Sequence, residues 1–218
     1  MEPQVTVRRT AICCILIEAI FCSSQQLNAG QLSIVQDRTH AVTFGMSTRE
    51  VERILPSECP KAKDMGWKPQ GSVKSIDCNS IQMEFVFDKL DEIKYSKGYD
   101  LSIPLSPFPD NLYNIPLDVQ RRLSWSSSVD EFASITGDWR QILIGKGLRF
   151  VAPTSPDRSW ECPELQYRSF CISTSGDQIT LRFGPTQRWV FNFIKSLVFN
   201  IVAVDSRYDV PRVMKLRE

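Results

Sequence analysis

The chain has 218 residues, which is enough for one large domain or two small ones. Hydrophobic residues make up 42% and charged residues 23%, a globular balance that excludes a disordered, collagen-like or multi-span membrane protein. The 26 basic and 25 acidic residues leave a formal net charge of +1, so nucleic acid is not an expected partner. A single His excludes any multi-His metal site.

Residues 1–24 are predicted to be a secretory signal peptide. Two arginines precede an apolar run at residues 11–21, and small or polar residues follow that run. The run is too short to cross a bilayer, which requires about 20 apolar residues, and the alternative is a buried N-terminal helix. A lipid anchor on Cys22 is disfavoured because Phe21 stands where a lipoprotein signal has a small residue. We therefore expect a mature protein that is periplasmic or secreted, with no membrane span.

Four cysteines remain after the predicted signal peptide: Cys59, Cys78, Cys162 and Cys171. An even number of cysteines in an oxidising compartment indicates disulfides, and four cysteines allow three connectivities. The short separations favour Cys59–Cys78 in the first half and Cys162–Cys171 in the second. No metal site is predicted, because the chain has no CxxC motif after the signal and His40 is distant.

The first predicted elements are a strand at residues 41–44 and a short helix that follows it. Ser47 and Glu50 have the spacing of a capping box, in which each side chain accepts a hydrogen bond from the other residue's backbone N–H. Apolar residues continue at helical spacing, and Pro56 ends the helix. Residues 57–75 are a polar stretch without a predicted element.

Alternating apolar residues predict two antiparallel strands at residues 81–87 and 90–95, with a turn at Asp88 and Lys89. Residues 100–116 contain four prolines, which excludes a helix or a central strand there. This segment is the predicted connection between the two halves of the chain.

The second half repeats the order of the first. Ser128 and Glu131 again mark the start of a helix, and Gly145 is its expected end. Stretches rich in Val, Ile and Phe predict strands, and residues 174–177 predict a hairpin turn. The predicted strands lie at residues 148–151, 168–173, 179–183, 190–193 and 197–204.

These elements predict an α+β fold in which short helices pack on an antiparallel sheet. The predicted organisation is a first α+β unit at residues 25–99, the proline-rich connection at 100–116, and a second α+β unit at 117–218. Residue identity between the halves is slight. The shared order therefore fits either two tandem helix-plus-hairpin units or a single α+β domain.

Residues 44–55 read FGMSTREVERIL, and residues 85–93 form the strand, turn and strand that follow. This part of the chain, residues 41–95, resembles the SmpA/OmlA family of small bacterial envelope lipoproteins, with its G-M-[ST]-x-x-[EQ]-V helix motif. A doubled version with a signal peptide and one disulfide in each half is similar to the β-lactamase-inhibitor-protein family. That resemblance implies helices on one face of a curved antiparallel sheet whose concave face grips another protein, and it carries over no catalytic residue.

The residues themselves predict no catalytic group and no cofactor. His40 is the only histidine, and a Ser-His-Asp triad would depend on it. Asp88, Asp91 and Glu92 surround a turn and are expected to be solvated. A carboxylate pair formed by residues distant in sequence remains the enzymatic alternative.

Large aromatic residues in loops are candidate anchors for a protein partner. Trp67, Phe108, Tyr113 and Trp160 are the predicted partner-binding residues, and the alternative is that they cover loops or pack on the disulfides. The predicted function is a non-enzymatic immunity or inhibitor protein that occludes a secreted toxin or hydrolase. The alternative function is an envelope-assembly or scaffolding lipoprotein of the SmpA/OmlA type.

Overall fold

A computed structural model describes residues 35–68, 71–154 and 162–208, and for residues 67, 68, 71 and 208 it describes the backbone alone. The predicted signal peptide and Cys22 lie outside the described residues. Besides a helical stretch at residues 35–39, the described residues form three α-helices, which are α1 (Thr48–Ile54), α2 (Leu117–Arg122) and α3 (Val129–Gly145). No helix among them is long and apolar enough to cross a membrane.

Nine strands of the described residues form one sheet in the order β1-β2-β3-β4-β9-β8-β7-β6-β5. All neighbours are antiparallel except the short β5, which is parallel to β6. The α+β prediction is confirmed in this coarse form, but the sheet dominates the fold and is much larger than two small hairpins. The strands are β1 (Lys63–Lys68), β2 (Gly71–Cys78), β3 (Ile81–Val86), β4 (Lys89–Ser96), β5 (Arg149–Phe150), β6 (Ser169–Ser175), β7 (Gln178–Phe183), β8 (Gln187–Ile194) and β9 (Leu197–Asp205).

Helix α1 begins with the predicted capping box. Ser47 Oγ accepts a hydrogen bond from the N–H of Glu50 at 3.3 Å, and the Glu50 carboxylate accepts one from the N–H of Ser47 at 2.7 Å. The helix ends just before Pro56, as expected, because proline cannot continue the backbone hydrogen bonds. These signals were sufficient to predict where α1 begins and ends, because the residues of each signal are only a few positions apart in the chain.

The predicted strand at residues 41–44 is wrong, since this segment forms turns. Its Val42 and Phe44 side chains do lie in the core, but its backbone hydrogen bonds are isolated and do not form a strand ladder. The N–H of Phe44 donates to the carbonyl of Pro107 at 2.9 Å, and the Phe44 ring packs on Phe108 with the centroids 5.0 Å apart.

Strands β1 and β2 lie partly within the stretch at residues 57–75, for which no element was predicted. β1 is the edge of the sheet, and its pairing with β2 shifts register between Asp64 and Trp67, around Gly66 with a φ of 83°. Edge strands are short and polar because one side of their backbone stays unpaired. The alternation that identifies central strands is therefore missing there.

Helix α3 begins at Ser128, whose Oγ accepts from the N–H of Glu131 at 3.2 Å. The helix ends at Gly145 as predicted, but the residue with left-handed backbone is Gly147, with a φ of 82°. The N–H groups of Gly147 and Leu148 donate back to the last turn at 2.9 and 3.0 Å, which completes a Schellman motif.

The proline-rich connection at residues 100–116 is irregular, as predicted, except for a 3-10 turn at Asn111–Tyr113. Buried amide side chains take the place of a strand neighbour for its backbone. Asn114 accepts from the N–H of Phe108 at 3.0 Å and donates to the same residue's carbonyl at 2.9 Å. Gln120 accepts from the N–H of Leu105 at 2.9 Å. Such bonds satisfy groups that would otherwise be buried without partners.

The three helices cover one face of the sheet, because their apolar side chains and alternate strand residues form one buried cluster. The cluster includes Val51, Val119, Phe132 and Trp139 from the helices and Phe85, Ile93, Leu181, Trp189 and Phe191 from the strands. The opposite face carries a small separate cluster of three valines. We call this opposite face the open face.

Both predicted disulfides are present. Cys59 and Cys78 have Cα atoms 5.2 Å apart and tie the chain after α1 to the end of β2. Cys162 and Cys171 have Cα atoms 6.1 Å apart and tie the chain before β6 to that strand. Each bond closes a local loop, with sequence separations of 19 and 9 residues.

The hairpins β3–β4 and β8–β9 repeat one backbone pattern 108 residues apart (84 to 192 and 85 to 193). In each, a bulge interrupts the register at the same place, and two consecutive residues with positive φ form the turn, at 87–88 and 195–196. The matching pairs are Glu84–Glu92 and Phe85–Leu90 in the first hairpin, and Asn192–Asn200 and Phe193–Val198 in the second. This shared register favours duplication of the hairpin.

Strands β4 and β9 join the two halves into one sheet. They pair antiparallel, and Lys94 faces Val202, which are again 108 residues apart (94 to 202). Lys94 and Val202 are equivalent residues of the two hairpins, and their strands run in opposite directions. A local two-fold axis through this pair therefore relates the two hairpins.

Candidate functional site

The open face carries a row of amide side chains across three neighbouring strands. Gln178, Asn192 and Asn200 are aligned in the antiparallel register of β7, β8 and β9. Gln178 Nε2 donates to Asn192 Oδ1 at 2.8 Å, and Asn192 Nδ2 donates to Asn200 Oδ1 at 2.7 Å. These bonds fix the orientation of the three side chains, which we call the amide row.

A cluster of valines lies beside the amide row. Val190 and Val202 face each other on β8 and β9, and Val204 lies two residues further along β9. All three are buried although they are on the face without helices. The centre of the open face is therefore apolar, with polar side chains on the row next to it.

The turn end of the β8–β9 hairpin exposes three large apolar side chains. Ile194, Leu197 and Phe199 are 50%, 44% and 46% exposed. Ile194 and Leu197 face each other next to the turn, and Phe199 lies at the bulge. Because alternate residues of a strand share a face, Ile194 is on the same face as Val190. We call these three residues the apolar hairpin end.

The matching end of the β3–β4 hairpin is bound to helix α1. Thr48 Oγ1 donates to Asp88 Oδ1 at 2.6 Å, and Lys74 Nζ lies 3.2 Å from the same oxygen. The N–H of Gly45 donates to the carbonyl of Leu90 at 3.0 Å. The Thr48 hydroxyl holds the pKa of Asp88 below its usual value because it stabilises the carboxylate.

Two of the four aromatic residues predicted to bind a partner lie in the core. Phe108 and Tyr113 are 1% and 4% exposed, which corrects the expectation of exposed anchors. The Phe108 ring packs on Trp189 with the centroids 5.7 Å apart, and the Tyr113 carbonyl accepts from the Trp189 indole N–H at 2.7 Å. They hold the connection against the sheet. The side chains of Trp67 and Trp160 lie outside the described residues.

The three acidic residues at the first hairpin are not a uniformly solvated group. Asp88 is bonded to Thr48, Asp91 is buried at the bulge of β4, and Glu92 is half-buried on β4. The expectation of solvation is therefore wrong for Asp91, which is 5% exposed. His40 is exposed in the turn before α1.

A shallow cleft of about 30 Å³ lies beside α1. Its carboxylate, Glu52, accepts a hydrogen bond from the N–H of Ala62 at 2.9 Å and lies 3.7 Å from the ammonium of Lys61. These contacts give Glu52 a role in holding the chain after α1. In the part of the chain that the structure describes, no three His, Cys, Asp or Glu side chains come together in a set that could hold a metal ion.

The sequence interpretation missed the apolar hairpin end, because it ended one predicted strand before Ile194 and assigned Leu197 and Phe199 to the next strand without asking which of them are buried. A signal is present in the sequence: Leu197, Val198 and Phe199 are consecutive apolar residues beside a turn. A strand with one buried face buries only alternate residues. Val198 is the buried one, so its two neighbours are exposed.

No protein-family model, curated protein or solved structure matches this chain. The functional argument is therefore built on the open face and the apolar hairpin end.

Proposed function

We propose that the protein is a non-enzymatic binding protein that occludes another protein with its open face, as an immunity or inhibitor protein acts on a secreted toxin or hydrolase. The observation that carries this proposal is the apolar hairpin end. Three large apolar side chains, each about half exposed, stand together at one end of the sheet. Contiguous exposed apolar surface of this kind marks protein interaction sites.

The rest of the open face supplies the area that such binding requires. Tight inhibitors bury about 800 Å² of their own surface, and three side chains alone do not provide that. Half-buried polar side chains extend from the hairpin end over β7 and β8, namely Gln178, Thr180 and Asn192. An apolar patch with polar side chains around it is the usual composition of a specific interface.

The two disulfides support the same compartment for the protein and its target. Disulfides form and persist in oxidising environments such as the periplasm and the extracellular space. A toxin or hydrolase that acts there is the class of partner that this protein would meet.

Site-specific photo-crosslinking in the source cells tests the proposal. A photoreactive phenylalanine analogue in place of Phe199 is expected to capture one protein. The matched control is the same analogue in place of Ile144, which is 42% exposed on α3, on the opposite side of the sheet. The captured protein, once purified, is expected to lose its activity when this chain binds. Equal capture from both positions, or a bound partner that keeps full activity, would contradict the proposal.

The mass of the mature N-terminus separates this proposal from the envelope-assembly alternative. A scaffolding lipoprotein would carry a diacylglyceryl group on Cys22, whereas the proposed inhibitor begins after residue 24 without a lipid. Intact-protein mass spectrometry distinguishes the two outcomes, and a lipid-modified Cys22 would favour the alternative.

A further inference from the structure

Two arginines lie side by side on the open face, on the strands next to the valine cluster. Arg182 on β7 and Arg188 on β8 are direct partners in the antiparallel register. Directly opposed residues have Cβ atoms about 5 Å apart and point to the same face. Their neighbours Leu181 and Trp189 are buried in the core, so alternation places both arginine side chains on the open face.

Neither guanidinium has an ion-pair or hydrogen-bond partner among the described residues. The row that contains them continues to Cys171 beside Arg182 and to Val204 beside Arg188, and both of these neighbours are uncharged. The next acidic residue of the row is Glu92 on β4, two strands from Arg188.

This arrangement lowers the stability of the protein when no partner is bound. Like charges directly opposite each other on neighbouring strands destabilise a sheet, and both side chains are half-buried, which limits their separation. Some other cations of the described residues do have acidic partners, as the pairs Lys74–Asp88, Arg122–Asp138 and Arg207–Asp205 show. The opposed arginines are therefore suited to an anion that the described residues do not supply.

We propose that Arg182 and Arg188 bind a carboxylate side chain of the partner protein. This inference rests on the proposed function. The planar guanidinium matches a carboxylate in a two-point hydrogen bond, and one carboxylate between two arginines removes their repulsion.

The distribution of charge on the open face favours a protein segment over a polyanion. The row is basic at Arg182 and Arg188 but acidic further along, where Glu92 faces Glu84 on the neighbouring strand. A nucleic acid requires a broad basic surface, and an acidic end of the row would repel it. A single carboxylate over β7 and β8 meets only the basic part, and the acidic part then orients the partner.

Titration followed by NMR tests the site without knowledge of the partner. The probes are acetyl-Leu-Glu-Leu-amide, the same peptide with Gln in place of Glu, and inorganic phosphate. The Nε–Hε signals of Arg182 and Arg188 are expected to shift saturably with the Glu peptide and not with the Gln peptide. The signal of Arg121, exposed on α2, is the control and is expected to stay in place. Tighter saturation by phosphate than by the Glu peptide would overturn the assignment to a protein carboxylate.

Variants give a second readout that the peptide does not supply. Arg182→Gln and Arg188→Gln are each expected to raise the melting temperature at low salt, because they remove the opposed charges. With the partner captured through position 199, the double variant is expected to weaken binding by at least about tenfold, whereas Arg121→Gln leaves it unchanged. Unchanged binding by the double variant would refute this site while the proposed function stands. Failure to capture any partner, with intact peptide binding, would refute the function and leave the site.

Discussion

The hairpins β3–β4 and β8–β9 have the same register, the same bulge and the same two-residue turn, yet their turn ends differ. In the first hairpin, Thr48 of α1 and the backbone of Gly45 bond to the turn end. In the second, Ile194, Leu197 and Phe199 are exposed. The shared pattern indicates that the bulge and the turn together determine the backbone path of each hairpin. The side chains at the turn end can then differ between the two hairpins.

The amino acids at buried positions differ least between the two hairpins. Phe85 matches Phe193 and Ile93 matches Ile201 at the same offset, and all four belong to the common core. Of two hairpins with the same backbone pattern, one therefore has its turn end bonded to the helix that precedes it, and the other has its turn end available as surface. The following tests compare the two hairpins, or the two halves, at matched positions.

The largest expected effect comes from Phe85→Ala and Phe193→Ala. Both rings are at most 5% exposed, and each loss is expected to cost about 3 to 5 kcal/mol, because a cavity adds to the lost transfer free energy. Urea unfolding of each variant measures the cost. Phe199→Ala, in the same hairpin but exposed, is the control and is expected to change the stability by less than about 0.5 kcal/mol. A large cost for Phe85→Ala together with a cost for Phe193→Ala as small as that of Phe199→Ala would break the equivalence of the two hairpins.

The disulfides give the next largest effect and distinguish the two halves. Replacing Cys59 and Cys78 by alanine is expected to cost about 3 kcal/mol, and replacing Cys162 and Cys171 about 2.5 kcal/mol, since the longer loop restricts the unfolded chain more. The separations are 19 and 9 residues. Guanidinium unfolding of the two double variants checks the order, and a larger loss from the second pair would contradict it.

Asp88→Asn removes the charged acceptor that binds α1 to the first hairpin. The side chain of Asp88 is 47% exposed, so solvent screening limits the expected loss to about 1 kcal/mol near neutral pH. The pKa of Asp88 is lowered in the folded state, so this contribution is present above its ordinary pKa and is lost as the pH falls through the lowered value.

Unfolding free energies measured from pH 7 down to pH 2 should therefore converge for the wild type and Asp88→Asn. Ser196→Asn, at the matching turn position of the second hairpin, is the control, and its difference from the wild type should not change with pH. A constant difference for Asp88→Asn over the whole range would exclude the charged hydrogen bond to Thr48.

The smallest effect concerns the two helix caps. Ser47→Ala breaks a capping box with bonds in both directions, whereas Ser128→Ala removes a cap bond that runs in one direction. Both are expected to cost about 1 kcal/mol, with Ser47→Ala the more costly. Thermal unfolding of the two variants, with Ser126→Ala as an exposed control, tests that order.

Much of the fold was predictable because its signals are local. The capping box of α1, the turn at Asp88, the disulfide pairs and the alternation in β3 each depend on residues close together in the chain. The edge strand β1 and the turns at residues 41–44 were not predictable, because their structure depends on which distant backbone lies beside them. The candidate site was not predicted, because the sequence does not show which aromatic residues are buried: Phe108 and Tyr113 proved to be core residues, and the apolar hairpin end had not been singled out.

By itself, the sequence determined where α1, α3 and the β3–β4 hairpin begin, which cysteine pairing is favoured, and which positions are apolar. Only the tertiary structure decided that β4 pairs with β9, that all three helices lie on one face, and that Arg182 stands opposite Arg188. The physical reason is that an apolar pattern specifies that a side chain is buried, but not the element that buries it. The partner strand and the covered face follow from packing the whole chain around one core, and that packing leaves the apolar hairpin end and the half-buried opposed arginines on the open face.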